Sequence, residues 1–107
     1  RVSEFESFET ALALQAYLAG QGQKVDWIWV DTFTGAPQPL ADLKRLRAAG
    51  FKLCQVSPEL HHVDAPETWE SRIAAFVAAL QAPGMQEYRG DMICTKRPDL
   101  WPDLSAR

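Results

Sequence analysis

The sequence lacks a strong charge of either sign, since 11 Lys and Arg stand against 14 Asp and Glu in 107 residues, for a net charge of −3. This balance excludes nucleic-acid binding driven by excess positive charge and electrostatic attachment to an anionic membrane surface. No apolar run approaches the ~20 residues of a membrane-spanning helix. We therefore expect no nucleic acid among its partners and no membrane span, and we expect the cytoplasm as its compartment.

Cysteine is scarce, and the common catalytic and phosphate-binding motifs are missing. Cys54 and Cys94 each lie in an apolar run, which predicts buried free thiols in a reducing compartment. There is no CxxC pair, no glycine-rich phosphate loop and no GxSxG elbow. These absences exclude the zinc-ribbon, nucleotide-loop and nucleophile-elbow classes, whereas a hydrophobic content of 47% is ample for a globular core.

Short apolar runs alternate with helical patterns along the chain. The runs cover residues 2–5, 27–33, 51–56 and 92–95, and the middle two are rich in Val, Ile and aromatic residues, as strands are. Their nearly continuous apolar character predicts strands that are covered on both faces. The order predicts an α/β fold, a parallel β-α-β-α-β-α-β arrangement.

Three helices are predicted between these runs. The first covers residues 8–18, with Ser7 as N-cap and Gly20 as its end; the second begins near Pro39. The third begins at a cap on Asp64, with Pro66 in its first turn. One face of that helix carries apolar residues at helical spacing, namely Trp69, Ile73, Phe76, Val77 and Leu80.

Residues 1–107 are expected to form a single α/β unit. The sequence opens at Arg1 without a Met, inside a polar–apolar alternation, which suggests an internal start. We therefore interpret the unit as the last four strands of a TIM-like (β/α)₈ barrel, a fold of ~250 residues. A small open sheet that stands alone is the alternative. Half a barrel would pair with its missing N-terminal half or self-associate through its open edges.

Polar residues follow every apolar run, where ligands bind in parallel α/β folds. We expect Asp31 and Glu4 to be metal ligands, for Mg²⁺ or Ca²⁺, although both residue types also cap helices and turns. Ser57, Glu59 and Lys96 are expected to bind a substrate or anion, a Lys flanked by Thr being suited to phosphate. Strand alternation places Asp31 on the face of Trp27 and Trp29, which are more typical of core or barrel filling than of a ligand platform. The adjacent His61 and His62 lack the spacing of a metal motif.

Four segments resemble the C-terminal half of a group of bacterial proteins. They are RVSEFE at 1–6, WIWVDTFT at 27–34, GFKLCQVSPEL at 50–60 and ICTK at 93–96. That group is similar to the glycerophosphodiester phosphodiesterase and phosphatidylinositol phospholipase C superfamily of TIM-like barrels. The resemblance implies that these are the last four barrel strands. It also implies that the catalytic His pair and acidic metal ligands lie mainly on the first strands, so that no residue here inherits a catalytic His role. In that group the SPEL stretch is followed by a Gly and an Arg; here His62 stands in that segment and no Arg follows.

The function predicted from the sequence is part of a phosphodiesterase-like hydrolase for a phosphorylated or anionic small substrate. In that interpretation Asp31, Glu59 and Glu4 coordinate a metal or orient substrate hydroxyls, and Lys96 stabilises phosphate charge. The alternative is a non-catalytic domain on the same scaffold that binds a sugar, a phosphate or another protein. A phosphoryl-acceptor domain with Asp31 as acceptor is a third option, which lacks the acidic pair it needs.

Overall fold

The computed structural model describes residues 1–104, which form an α/β unit around a parallel sheet. The elements follow in chain order as α1 (Phe8–Gly20), β1 (Trp27–Val30), α2 (Leu40–Ala48), β2 (Lys52–Val56), α3 (Trp69–Leu80) and β3 (Met92–Cys94). The strands lie in the order β1-β2-β3, and both pairings are parallel. The predicted α/β class is thereby confirmed. Within the same residues, no helix has the length and apolar character needed to cross a membrane.

The prediction of a strand at residues 2–5 is wrong. Of this segment, only Val2 joins the sheet, through a single parallel bridge. Val2 pairs with Val30: its amide donates to the Trp29 carbonyl at 3.0 Å, and its carbonyl accepts from the Asp31 amide at 2.9 Å. The chain then turns sharply, because the backbones of Ser3 and Glu6 bond each other in both directions. The polar–apolar alternation that predicts a strand here belongs to this turn.

The helices follow the predicted pattern, with one exception at the start of α3. Ser7 caps α1 as expected, since its hydroxyl accepts from the Thr10 amide at 3.2 Å. The predicted cap on Asp64 is wrong, because residues 66–68 form a short 3₁₀ turn and α3 begins only at Trp69. Thr68 is the N-cap residue of α3, and its side chain makes no capping hydrogen bond. The Thr68 hydroxyl instead donates to the Ala65 carbonyl at 2.8 Å, which completes that turn.

The hydrophobic core lies on one face of the sheet. Ile28 pairs in register with Leu53, and both side chains are buried beneath the helices. Residues from the sheet, α2, α3 and the loops share this buried cluster: Val2, Ile28, Val30, Leu43, Leu46, Phe51, Leu53, Phe76, Leu80 and Met85. The apolar stripe predicted for α3 is confirmed, since Ile73, Phe76, Val77 and Leu80 are buried and Trp69 is half-buried.

The opposite face of the sheet, here called the bare face, is exposed at the outer strands β1 and β3, whereas Cys54 and Val56 on the central strand are buried. It carries Trp27, Trp29, Lys52, Cys54, Val56, Met92 and Cys94 by strand alternation and register. Trp29 is 46% exposed and Met92 49%. The prediction that the strands are covered on both faces is confirmed for β2, where residues 53–56 are all buried, and is wrong for β1, where Trp27 and Trp29 are exposed.

Both cysteines are free thiols, as predicted, but the predicted burial is confirmed only for Cys54, since Cys94 is half-buried. Cys54 is buried on the bare face, and Cys94 lies on the neighbouring strand of the same face. Burial, with a smaller contribution from the nearby Cys94, raises the pKa of the Cys54 thiol. A thiol with a raised pKa is a poor nucleophile at neutral pH, so the surroundings of Cys54 do not favour a catalytic thiol at this position.

Candidate functional site at the carboxyl ends of the strands

The residues singled out from the sequence follow the carboxyl ends of the three strands. Asp31 directly follows β1, Ser57 directly follows β2, and Lys96 lies two residues beyond β3. Parallel neighbours end on the same side of a sheet, so these residues share one rim. Their surroundings nevertheless differ, and the rim divides into two halves.

The first half, here called the open half, comprises Arg1, Glu4, Asp31, Phe33 and His61, and its centre is an Asp–His pair. Nε2 of His61 lies 2.7 Å from Oδ1 of Asp31. The Asp31 side chain is 3% exposed, whereas that of His61 is 25% exposed. A carboxylate accepts and does not donate, so Nε2–H of His61 donates to it and Nδ1 is left for other partners. Within residues 1–104, Nδ1 has no hydrogen-bond partner.

Local structure determines how this pair forms. Pro58–His61 is a 3₁₀ turn that begins directly after Ser57, with Pro58 in its first position. The turn carries His61 back over the end of the neighbouring β1. The Asp31 carboxylate is fixed from its own strand end, because the Thr32 amide donates to Oδ1 at 2.8 Å. The Asp31 backbone is fixed as well, since Nε2 of Gln38 donates to its carbonyl at 2.9 Å.

Arg1 supplies a positive charge beside this pair. Its Nη1 lies 3.7 Å from Oδ2 of Asp31, and its Nε donates to Glu6 at 2.6 Å. The Arg1 side chain is 54% exposed. A half-exposed guanidinium of this kind both partners the buried Asp31 and remains accessible to an anion.

Glu4 braces the loop after β1. Its Oε1 accepts from the Thr32 hydroxyl at 2.8 Å, and its Oε2 accepts from the Phe33 amide at 3.1 Å. Burial opposes ionisation of Glu4, but hydrogen bonds from its own backbone, Thr32, Phe33 and Thr34 outweigh it and lower the pKa of the carboxyl. The sequence predicts Glu4 as a metal ligand, whereas in the structure its carboxylate accepts hydrogen bonds from the Thr32 hydroxyl and the Phe33 amide.

The second half of the rim, here called the closed half, comprises Ser57, Glu59, Thr95 and Trp101. Ser57 and Glu59 are fully buried. The Ser57 hydroxyl accepts from Nε1 of Trp101 at 3.1 Å, and Oε2 of Glu59 accepts from the Thr95 hydroxyl at 2.9 Å. In residues 1–104, Oε1 of Glu59 has no partner. Ser57 and Glu59, two of the three residues predicted to bind substrate, are therefore buried and bonded to other residues of the protein.

Lys96 is the exposed member of the predicted anion-binding set. Its side chain makes no hydrogen bond or ion pair with the part of the chain that the structure describes, and it is exposed. The neighbouring Arg97 is engaged with Asp99 at 2.7 Å. The Thr95 hydroxyl fixes the loop around Lys96 by accepting from the Arg97 amide at 2.9 Å. Lys96 is thus available to a negatively charged ligand.

The donor set of the open half does not by itself form a divalent-cation site. Asp31 and Glu4 are both bonded to protein donors. No group of three or more His, Cys, Asp or Glu in residues 1–104 is arranged to hold a metal. The Mg²⁺ or Ca²⁺ site stays a prediction, and no step below passes through a metal.

His61 is the residue that the sequence analysis left without a role. The sequence offers His61 only as a metal ligand, and its spacing to His62 does not support that role. The signal that could have found it is the Ser-Pro pair directly after a strand, which predicts a tight turn. Such a turn returns the residues that follow it to the rim.

A cavity of about 400 Å³ opens beside α1 and the edge of β1. Arg1 and Glu6 lie at its polar end, while Leu14, Trp27 and Phe51 form part of its apolar walls. Neither Asp31 nor His61 lines it. Because the titratable pair lies outside, we place the candidate chemistry at the rim and not in this cavity.

Comparison with family models, with curated proteins and with solved structures gives no match for this chain.

Proposed function

We propose that this chain is part of a hydrolase that cleaves a phosphodiester or a related anionic small substrate, with the Asp31–His61 pair as its general base. The observation that carries the proposal is the 2.7 Å contact between a buried carboxylate and an imidazole that is 25% exposed. A buried Asp that orients a His, whose second nitrogen faces solvent, is the arrangement by which proteins position an imidazole for proton transfer.

The chain's own residues account for the proton transfers of the proposed reaction. Nδ1 of His61 takes a proton from a water molecule as the water oxygen forms a bond to phosphorus. Asp31 holds the ring and stabilises the imidazolium that results. As the bond from phosphorus to the leaving oxygen breaks, the imidazolium returns its proton to that oxygen. Arg1 and Lys96 supply positive charge for the anionic substrate.

The same proposal includes the C-terminal half of a TIM-like barrel as the architecture. Parallel sheets are normally covered on both faces, and here the main core cluster lies on one face, while the outer strands are exposed on the other at Trp27, Trp29 and Met92. The bare face, with Trp29 and Met92 half exposed, has the apolar side chains that fill a barrel interior. A missing N-terminal half would cover this face and would contribute further residues at the rim.

Substitutions of two adjacent histidines, made in the intact protein, test the proposed function. We expect His61→Gln to lower the rate of bis(p-nitrophenyl) phosphate hydrolysis by about 10²–10⁴-fold, the usual contribution of a general base. His62→Gln is the matched control, because His62 follows directly in the chain and has no role in the proposed reaction. Wild-type turnover in His61→Gln would contradict the proposal, and so would equal losses in both variants.

A non-catalytic anion-binding domain is the second candidate. The unpartnered Lys96 and the half-exposed Arg1 favour it, since both charges can bind an anion without any chemistry. The same preparation distinguishes the two. Saturable binding of a phosphorylated ligand by a wild-type protein that hydrolyses none of the phosphodiesters offered would favour this candidate.

A further inference from the structure

Two phenylalanines are held in solvent beside the Asp31–His61 pair. Phe5 is 78% exposed and Phe33 is 42% exposed. Their ring centroids lie 5.1 Å apart at an interplanar angle of 66°, an edge-to-face contact. Single exposed apolar residues are common on protein surfaces, but two exposed aromatic rings in contact form an apolar patch, and such patches are typical of binding sites.

Hydrogen bonds hold the backbone around Phe5 and Phe33, although the two rings are not buried. Phe5 lies in the turn between Ser3 and Glu6, and its amide donates to the Ser3 hydroxyl at 3.0 Å. The Phe33 amide donates to the Glu4 carboxylate at 3.1 Å. The two rings are therefore presented on a preorganised frame, which lowers the entropy cost of binding a ligand.

The patch is continuous with the proposed general base. The Phe33 ring lies 4.2 Å from the His61 ring, measured between centroids, at an interplanar angle of 35°. Arg1 contacts the same Asp31 carboxylate, with its Nη1 3.7 Å from Oδ2. A molecule that placed its phosphate between Arg1 and His61 would bring an attached group over Phe5 and Phe33.

We propose that Phe5 and Phe33 form a subsite for a ring with an apolar face, aryl or sugar, attached to the anionic group of the substrate. Aromatic side chains bind such rings through stacked or edge-to-face contacts. The inference rests on the proposed function for the placement of the anionic group, and it adds the class of the attached group. It makes Phe5 and Phe33 specificity residues and gives neither a part in proton transfer.

The test measures binding and not turnover. Wild-type protein is titrated with phenyl phosphate, glucose 1-phosphate and inorganic phosphate, and dissociation constants are taken from ligand-observed NMR. We expect one of the ring phosphates to bind about tenfold more tightly than inorganic phosphate, the scale of one aromatic contact. The tighter of the two identifies the ring as aryl or sugar. Equal affinities for all three compounds would overturn the proposal.

The decisive variant is Phe5→Ala, which removes an exposed ring. We expect it to abolish the preference for the ring phosphate over inorganic phosphate. Tyr17→Ala is the matched control, because Tyr17 is 66% exposed on α1 and lies outside the rim. A preference that persists in Phe5→Ala, or one lost equally in Tyr17→Ala, would refute the subsite.

The two proposals fail separately in this design. Loss of ring preference in Phe5→Ala, from a protein that hydrolyses no phosphodiester, would support the subsite and refute the hydrolase. Hydrolysis that depends on His61, with ring preference unchanged in Phe5→Ala, would refute the subsite alone. Sedimentation of both proteins adds one further outcome: a wild-type dimer that Phe5→Ala dissociates, without a change in ring preference, would make the patch a self-association surface and overturn the proposal.

Discussion

The two halves of the rim carry similar residue types in opposite surroundings. The open half has a buried Asp31 paired with an accessible His61, and aromatic rings left in solvent. The closed half has a buried Glu59 paired with Thr95, and Trp101 is folded down onto Ser57. Both halves are built at strand ends around a carboxylate and a hydrogen-bond donor.

The difference lies in what covers each half. The C-terminal segment and α3 cover the closed half, since the Trp101 ring packs edge-to-face on Phe76 at 5.8 Å between centroids. In residues 1–104, no helix or strand covers the rings of Phe5 and Phe33. A position at the rim therefore does not by itself make a polar residue functional. Accessibility separates the half that can meet a substrate from the half that holds the fold together.

The largest expected difference is between the stability effects of two substitutions, one beneath the closed half at Phe76 and one beside the open half at Phe5. Phe76→Ala should lower the free energy of unfolding by about 3–5 kcal/mol, because Phe76 is fully buried and supports Trp101. Phe5→Ala should change it by less than about 0.5 kcal/mol, since Phe5 is 78% exposed. Urea unfolding measures both values, and similar losses would show that the two halves do not differ as described.

A smaller effect is expected from threonines of the two halves. Thr95→Val removes the one hydrogen-bond donor that residues 1–104 offer to the buried Glu59 carboxylate and should cost about 1–3 kcal/mol of unfolding free energy. Thr34→Val is the matched control in the loop after β1, and should cost less than Thr95→Val, because its side chain is exposed and water can replace the bond that its hydroxyl accepts from the Ala36 amide at 3.3 Å. A Thr95→Val protein as stable as wild type would mean that Glu59 finds another donor.

The elements of the fold were predictable because their signals are local. The apolar runs contain β1, β2 and β3, and helical spacing gives the buried stripe of α3. The segment 2–5 was not predictable in this way. Its alternation suits a strand edge and a tight turn equally well, and the backbone bonds between Ser3 and Glu6 decide for the turn.

The sequence predicted where the site lies but not which side chains contact each other there. Asp31 follows a strand, so its position at the rim could be read from the sequence. Its partner could not, because the contact with His61 spans 30 residues and depends on a 3₁₀ turn. The burial of Glu59 was missed for a similar reason, since Thr95 and the cover from Trp101 come from much later in the chain.

The smallest expected effect is the pH dependence contributed by Glu4. Burial is the largest single effect on this carboxyl and opposes its ionisation, but its four hydrogen bonds together outweigh burial and lower the pKa below its ordinary value of 4.5. A group whose pKa is lowered on folding stabilises the protein fully above the unfolded pKa, and this contribution is lost as the pH falls through the folded pKa. The side chain is largely exposed, so solvent screening keeps the effect modest.

The variant Glu4→Gln isolates this contribution, because Gln cannot titrate. The pKa values of Glu6 and Asp91 are also lowered, so wild-type stability falls in acid for several reasons at once. The informative quantity is the difference in unfolding free energy between wild type and Glu4→Gln, measured by urea unfolding from pH 7 to pH 3. We expect wild type to be the more stable at pH 7 and the difference to shrink below about pH 4.5. A difference that stays constant with pH would mean that Glu4 braces the loop of Phe33 through its shape and not through its charge, and the preorganised frame of the open half would then be independent of pH.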